Sequence, residues 1–97
     1  MMYYDKDGSP ITALEMDTKM DVTYKRVGYT KLKSGNIVST VWLGIDHSFS
    51  CDGPPIIFET MVFTTQGCDS LDCQRYSTLQ EAELGHDEMV KTWERKG

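Results

Sequence analysis

A chain of 97 residues, 39% hydrophobic and 26% charged, has material for one hydrophobic core, so the expectation is a single α+β domain spanning residues 1–97. Fifteen acidic against ten basic side chains leave a net charge of −5; this disfavours non-specific nucleic-acid binding, which needs Lys and Arg to displace counterions, and permits a basic partner surface. The longest apolar stretch, Pro54–Phe58, is far short of the ~20 residues that span a bilayer, and Met1–Asp7 lacks the charged-then-apolar pattern of a secretion signal, so a cytosolic protein without membrane contact is expected.

Taken in chain order, Met2-Tyr3-Tyr4 leads into an Asp5-Lys6-Asp7-Gly8 turn. Pro10 opens a helix-compatible stretch from Ile11 to Met20. Val22–Leu32 reads as a long strand, Lys33-Ser34-Gly35-Asn36 as a turn, and Ile37–Ile45 as the returning strand of a β-hairpin. In that second strand Ile37, Val41, Leu43 and Ile45 share one face with Ser39. Val38, Thr40, Trp42 and Gly44 form the other, less hydrophobic face. Alternation of this kind implies that one side is core.

After a Gly-, Ser-, Asp- and Pro-rich loop (Asp46–Pro55), Ile56–Phe63 reads as a strand that is apolar on both faces, the pattern of a central strand covered on both sides. Thr64–Cys73 reads as a loop, with Gln74-Arg75-Tyr76 as a short edge strand. Thr78 followed by Glu81 is a capping box, and Leu79, Ala82, His86, Met89, Val90 and Trp93 recur on one helical stripe. Arg95 and Lys96 suit a helix C-terminus. The expected fold is an antiparallel sheet of three to five strands with this C-terminal amphipathic helix packed on one face.

Within that frame a few polar residues sit in unusual places. His86 occupies the apolar stripe where Leu is expected, as an acid, base or ligand or as a hydrogen-bonded core residue. Glu59 interrupts the most hydrophobic strand and must be exposed, paired or shifted in pKa; a cross-layer pair with His86 follows if it faces the helix. Asp46 and His47 stand at a strand end, where a loop presents side chains from a rigid base. Trp42 is either an interface anchor or a core residue beneath the N-terminal helix. His47 and Cys51, with Cys68 and Cys73, have spacing loosely compatible with zinc. The strand between the two loops places them about 26 Å apart, which argues against one shared ion. An odd number of cysteines without a secretion signal points to free thiols. No nucleophile elbow, phosphate-cradling glycine loop or tight zinc knuckle is present, and nothing calls for a cofactor.

The runs Val38–Phe49, Gly53–Phe63 and Arg75–His86, with the opening Tyr4–Pro10, resemble a family of small bacteriophage and prophage proteins. The resemblance covers about two thirds of the chain and places Trp42, Asp46, His47, Glu59, Arg75 and His86 at motif positions; the three cysteines lie outside the pattern. It implies a phage origin and the cytoplasm of an infected or lysogenic bacterial host, without a defined activity. The expectation is a non-catalytic protein that binds a host or defence-system protein. Two alternatives stand beside it: a small enzyme or nucleotide-binding protein using an Asp46, His47, Glu59 and His86 pocket, and a minor virion or assembly component that self-associates through Trp42.

Overall fold

The computed structural model of the chain describes residues 2–47, 53–65 and 70–96. The Asp5–Gly8 turn forms as expected, joining β1 (Tyr3–Tyr4) to β2 (Pro10–Ile11) as an antiparallel pair. Thr12 and Glu15 then make a capping box that starts α1 (Ala13–Thr18). The long strand expected from Val22 begins later. Asp21 accepts from the Thr23 backbone N–H and caps a single helical turn, α2 (Val22–Lys25). The extended chain, β3, covers only Arg26–Lys31. A local side-chain cap here overrides the β-propensity of Val22 and Tyr24.

β3 turns through Leu32–Asn36 into β4 (Ile37–Trp42), which pairs with β5 (Phe58–Phe63), which pairs with β6 (Ser70–Tyr76). The result is a four-stranded antiparallel sheet in the order β3-β4-β5-β6. β6 is longer than the expected Gln74–Tyr76 edge strand, because its polar residues still pair along the whole length of β5. The Thr78–Glu81 capping box opens α3 (Leu79–Lys96), which lies across one face of the sheet. This is the expected α+β architecture with a C-terminal helix on an antiparallel sheet.

The face of β4 that the helix covers is the less hydrophobic of the two. Val38, Thr40 and Trp42 are fully buried, while Ile37, Ser39 and Val41 are only half-buried on the far side. β5 repeats the pattern: Phe58, Thr60 and Val62 are buried, whereas Glu59, Met61 and Phe63 face away. β5 is therefore central but covered on one side, not on both. Register explains why, since directly opposed residues of an antiparallel pair share a face. Gly28 and Thr30 of β3 lie opposite Thr40 and Val38, which in turn lie opposite Thr60 and Val62.

Two apolar clusters run along the helix–sheet interface. One gathers Leu32, Val38 and Val62 with Met89, Val90 and Trp93 of α3. The other gathers Met16, Trp42, Ile57, Phe58 and Ala82 with Tyr3, Tyr4, Ile11, Tyr24, Val27, Tyr76 and Leu79. The N-terminal segment thus packs over Trp42 beside α3, on the same face. Trp42 donates its indole N–H to the Tyr4 carbonyl at 2.9 Å and meets the Tyr24 ring edge-on at 5.3 Å. Tyr24 fastens this segment from the other side. Its hydroxyl donates to Asp5, which also pairs with Lys19 at 3.3 Å, and the Tyr24 hydrogen bond leads the causes that hold the Asp5 carboxyl below its usual range.

Two glycines let the layers close. A Cβ on Gly28 would come within 2.9 Å of the His86 ring, and one on Gly85 of α3 within 2.1 Å of the Tyr76 hydroxyl. Gly→Ala inside a helix ordinarily stabilises by about 1 kcal/mol. Here both Gly28→Ala and Gly85→Ala are expected to lower the denaturation midpoint, the cost being on the order of 1–3 kcal/mol from forced overpacking. Chemical denaturation of the two variants checks this; a stabilised Gly85→Ala would contradict the close approach of Tyr76.

Candidate functional site

The chemistry-bearing residues fall into three separate places. The first is inside the helix–sheet interface. His86 sits on the second turn of the stripe beginning at Leu79, which turns it toward β3 and β4 as Leu would be turned. It is 7% exposed. Its Nδ1 lies 2.7 Å from Thr40 Oγ1 and its Nε2 lies 2.9 Å from Thr30 Oγ1. Thr40 Oγ1 lies a further 2.5 Å from Thr60 Oγ1, so three strands are tied to the helix through one ring. A neutral imidazole has one N–H donor and one acceptor nitrogen, and a hydroxyl can play either part. Both nitrogens are thus satisfied whichever tautomer is present. Among the described residues no buried side-chain nitrogen or oxygen lacks a partner.

Burial lowers the His86 pKa from its ordinary value of 6.5, with Asp87 opposing. Burial likewise raises the Tyr76 hydroxyl, the neighbouring Thr60 hydroxyl opposing. The ring borders a pocket of about 210 Å³ lined by Val27, Gly28, Glu83, His86 and Asp87. With both ring nitrogens engaged by threonines, no atom of His86 is left to move a substrate proton or bind a metal. Its hydrogen bonds serve the packing of α3.

Glu59 lies on the opposite face of the sheet. The cross-layer pair with His86 therefore does not form: successive β5 side chains alternate, and Thr60 takes the inward position. Glu59 instead accepts from Arg75 Nε at 2.9 Å, directly across from it on β6, and from the Cys73 thiol at 3.4 Å. Burial, and next Glu59 itself, raises the Cys73 thiol pKa, so the sulfur is protonated at neutral pH and is a weak nucleophile and a poor metal ligand.

Asp46 and His47 close a loop. The Ile56 backbone N–H donates to Asp46 Oδ1 at 2.8 Å, and the His47 N–H donates to the Ile56 carbonyl at 2.8 Å. The Asp46 carboxylate thereby fixes the chain where it leaves the sheet and where it returns to β5. Trp42, sealed in the core, anchors the N-terminal segment rather than a partner, which removes the surface residue that the self-association reading relied on. The zinc combination loses its geometry on the described side: His47 bonds Ile56, just before β5, and Cys73 pairs with Met61 within it, five residues on and roughly 16 Å away along extended chain. Cys51 and Cys68 lie outside the described residues. Among the described residues no group of three or more His, Cys, Asp and Glu is placed to hold a metal ion.

The remaining place is the sheet face that α3 leaves uncovered, which carries the more hydrophobic side of β4. The outer face of the sheet carries three rows set by the register: Arg26, Val41, Glu59 and Arg75; Tyr29, Ser39, Met61 and Cys73; Lys31, Ile37 and Phe63. Its middle strands are apolar and half-buried, and Tyr29 is half exposed. No described element covers it. No protein-family model, curated protein or solved structure matches the chain.

Two measurements follow from this geometry. The unfolded state takes up the proton at an ordinary histidine pKa and the folded state resists it, so stability from His86 is whole above about pH 6.5 and falls as pH drops below that value. His86→Leu is expected to cost about 1–3 kcal/mol at neutral pH through the threonine hydroxyls it leaves behind, and to flatten the decline between about pH 7 and 5 in urea denaturation. An unchanged pH profile would contradict the buried, neutral ring. Arg75→Ala is expected to cost under about 1 kcal/mol, because the Arg75–Glu59 pair is solvent-screened on the arginine side; a larger loss in the same assay would contradict that.

Proposed function

We propose that this protein is a non-catalytic binding domain and that the outer face of its sheet is the contact surface. The observation that carries the reading is the inverted burial of β4 and β5. Ile37, Val41, Met61 and Phe63 form an apolar band on the side of the sheet that neither α3 nor the N-terminal segment covers. Exposed apolar area that a fold leaves contiguous, rimmed by charged residues, is the usual mark of an interaction site.

The dispersal of the polar residues supports the same reading. An acid–base site needs its groups within hydrogen-bond reach of one reacting atom. His86 lies on the inner face, Glu59 on the outer face, and Asp46 is engaged in loop closure. The resemblance to small phage and prophage proteins supplies the setting: the cytoplasm of an infected or lysogenic host, with a host or defence-system protein as partner. None of the described helices is long and apolar enough to cross a membrane, in keeping with that setting.

Capture from bacterial host lysate by the immobilised chain tests the proposal. One protein retained in fixed stoichiometry by the wild type and by His86→Leu, and lost with Val41→Glu and Met61→Glu at unchanged melting temperature, is the expected result. Retention that the two outer-face substitutions leave intact would overturn it.

A further inference from the structure

We infer that the outer sheet face accepts an acidic amphipathic helix of a partner protein, laid over β4 and β5 with its carboxylates toward β3. This rests on the reading of that face as a contact surface and adds the chemistry of what it contacts.

Charge is distributed unevenly between the two sides of the molecule. The chain as a whole carries −5, and on α3 the exposed acids Glu81, Glu83, Asp87, Glu88 and Glu94 outnumber the exposed bases Lys91, Arg95 and Lys96. The outward strand positions bear Arg26, Lys31 and Arg75 against the single carboxylate of Glu59. Glu59 is taken up by Arg75. Among the described residues Arg26 and Lys31 form no ion pair, and the Arg26 guanidinium lies over the Tyr29 ring at 4.7 Å. The β3 border is thus a row of uncompensated cations beside an apolar band. Such a field draws an acidic partner to this side and turns it away from the helix side.

The band also has a width. Ile37 and Val41 on β4 with Met61 and Phe63 on β5 span two strands about 4.8 Å apart, and with their side chains the strip matches the roughly 10 Å breadth of one α-helix. On the inner face one amphipathic helix, α3, already lies across the sheet and touches all four strands. A second copy stacked face to face is a poorer occupant. Either two-fold setting brings three cations against three, with only the two already paired Glu59 carboxylates between them. A nucleic-acid strand is disfavoured by the net charge of the chain, which repels polyphosphate.

The test is a titration of the ¹⁵N-labelled full chain, followed by amide chemical shifts, with three probes. One is a synthetic 18-residue amphipathic peptide with leucines at helical spacing and glutamates along its flank. The others are the same peptide with lysines for glutamates and a uridine oligonucleotide. The expected result is shifts confined to Tyr29, Ile37, Val41, Met61 and Phe63, with the glutamate peptide at least tenfold tighter than the lysine peptide. Arg26→Glu with Lys31→Glu reverses that order at unchanged melting temperature. Equal or tighter binding of the lysine peptide overturns the acidic class and leaves the face as a contact surface. Binding of the oligonucleotide at these residues, or concentration-dependent shifts of the chain alone, overturns the inference in favour of nucleic acid or a second copy. An absence of shifts with every probe overturns it together with the reading it rests on.

Discussion

Thr40 Oγ1 stands 2.7 Å from His86 Nδ1 and 2.5 Å from Thr60 Oγ1, and the side of the sheet that becomes interior turns on that meeting. A threonine hydroxyl costs free energy to bury alone, as does an imidazole nitrogen. Each becomes a core residue because the other is there. Thr30 completes the set from β3, so one ring on α3 fixes the helix against β3 and β4 directly and against β5 through Thr40. Gly28 supplies the missing side chain that makes room for the ring. Once this chain of hydrogen bonds is inward, period-two alternation sends Ile37, Val41, Met61 and Phe63 outward. The apolar outer face is a consequence of the polar inner one.

The sequence was most legible where periodicity and capping agreed. The stripe from Leu79 to Trp93 and its Thr78–Glu81 box identify α3, and the Lys33–Asn36 turn identifies the hairpin. The choice of face was not legible from hydrophobicity, because the more hydrophobic side of β4 is the outer one. The information lay instead in the register: the hairpin sets Gly28 and Thr30 against Thr40 and Val38, and a helix presenting His86 needs hydroxyl partners and space. Single-turn α2 escaped notice because its cap, Asp21 to Thr23, outweighs a β-like composition. The extent of β6 was hidden by its polar residues, which are tolerable on an edge strand.

The same inversion decides what the singled-out residues do. Trp42 and His86, both read as potential contact or chemical groups, are structural: the first holds the N-terminal segment, the second holds α3. Asp46 and His47 close a loop. Glu59 and Arg75 form a pair on the outer face, where they neutralise one border and leave the other, at Arg26 and Lys31, positive. The proposed function therefore rests on a surface and not on a constellation of titratable groups: apolar area in the middle and charge on one flank.

The inward placement of Thr40 is tested most directly by a nuclear Overhauser experiment on the His86 ring protons. The account predicts cross-peaks to the Gly28 Hα protons and to the methyl groups of Thr40 and Thr30. Cross-peaks from that ring to the methyl groups of Val41, Ile37 or Met61 would contradict it, and with it the existence of an apolar outer face.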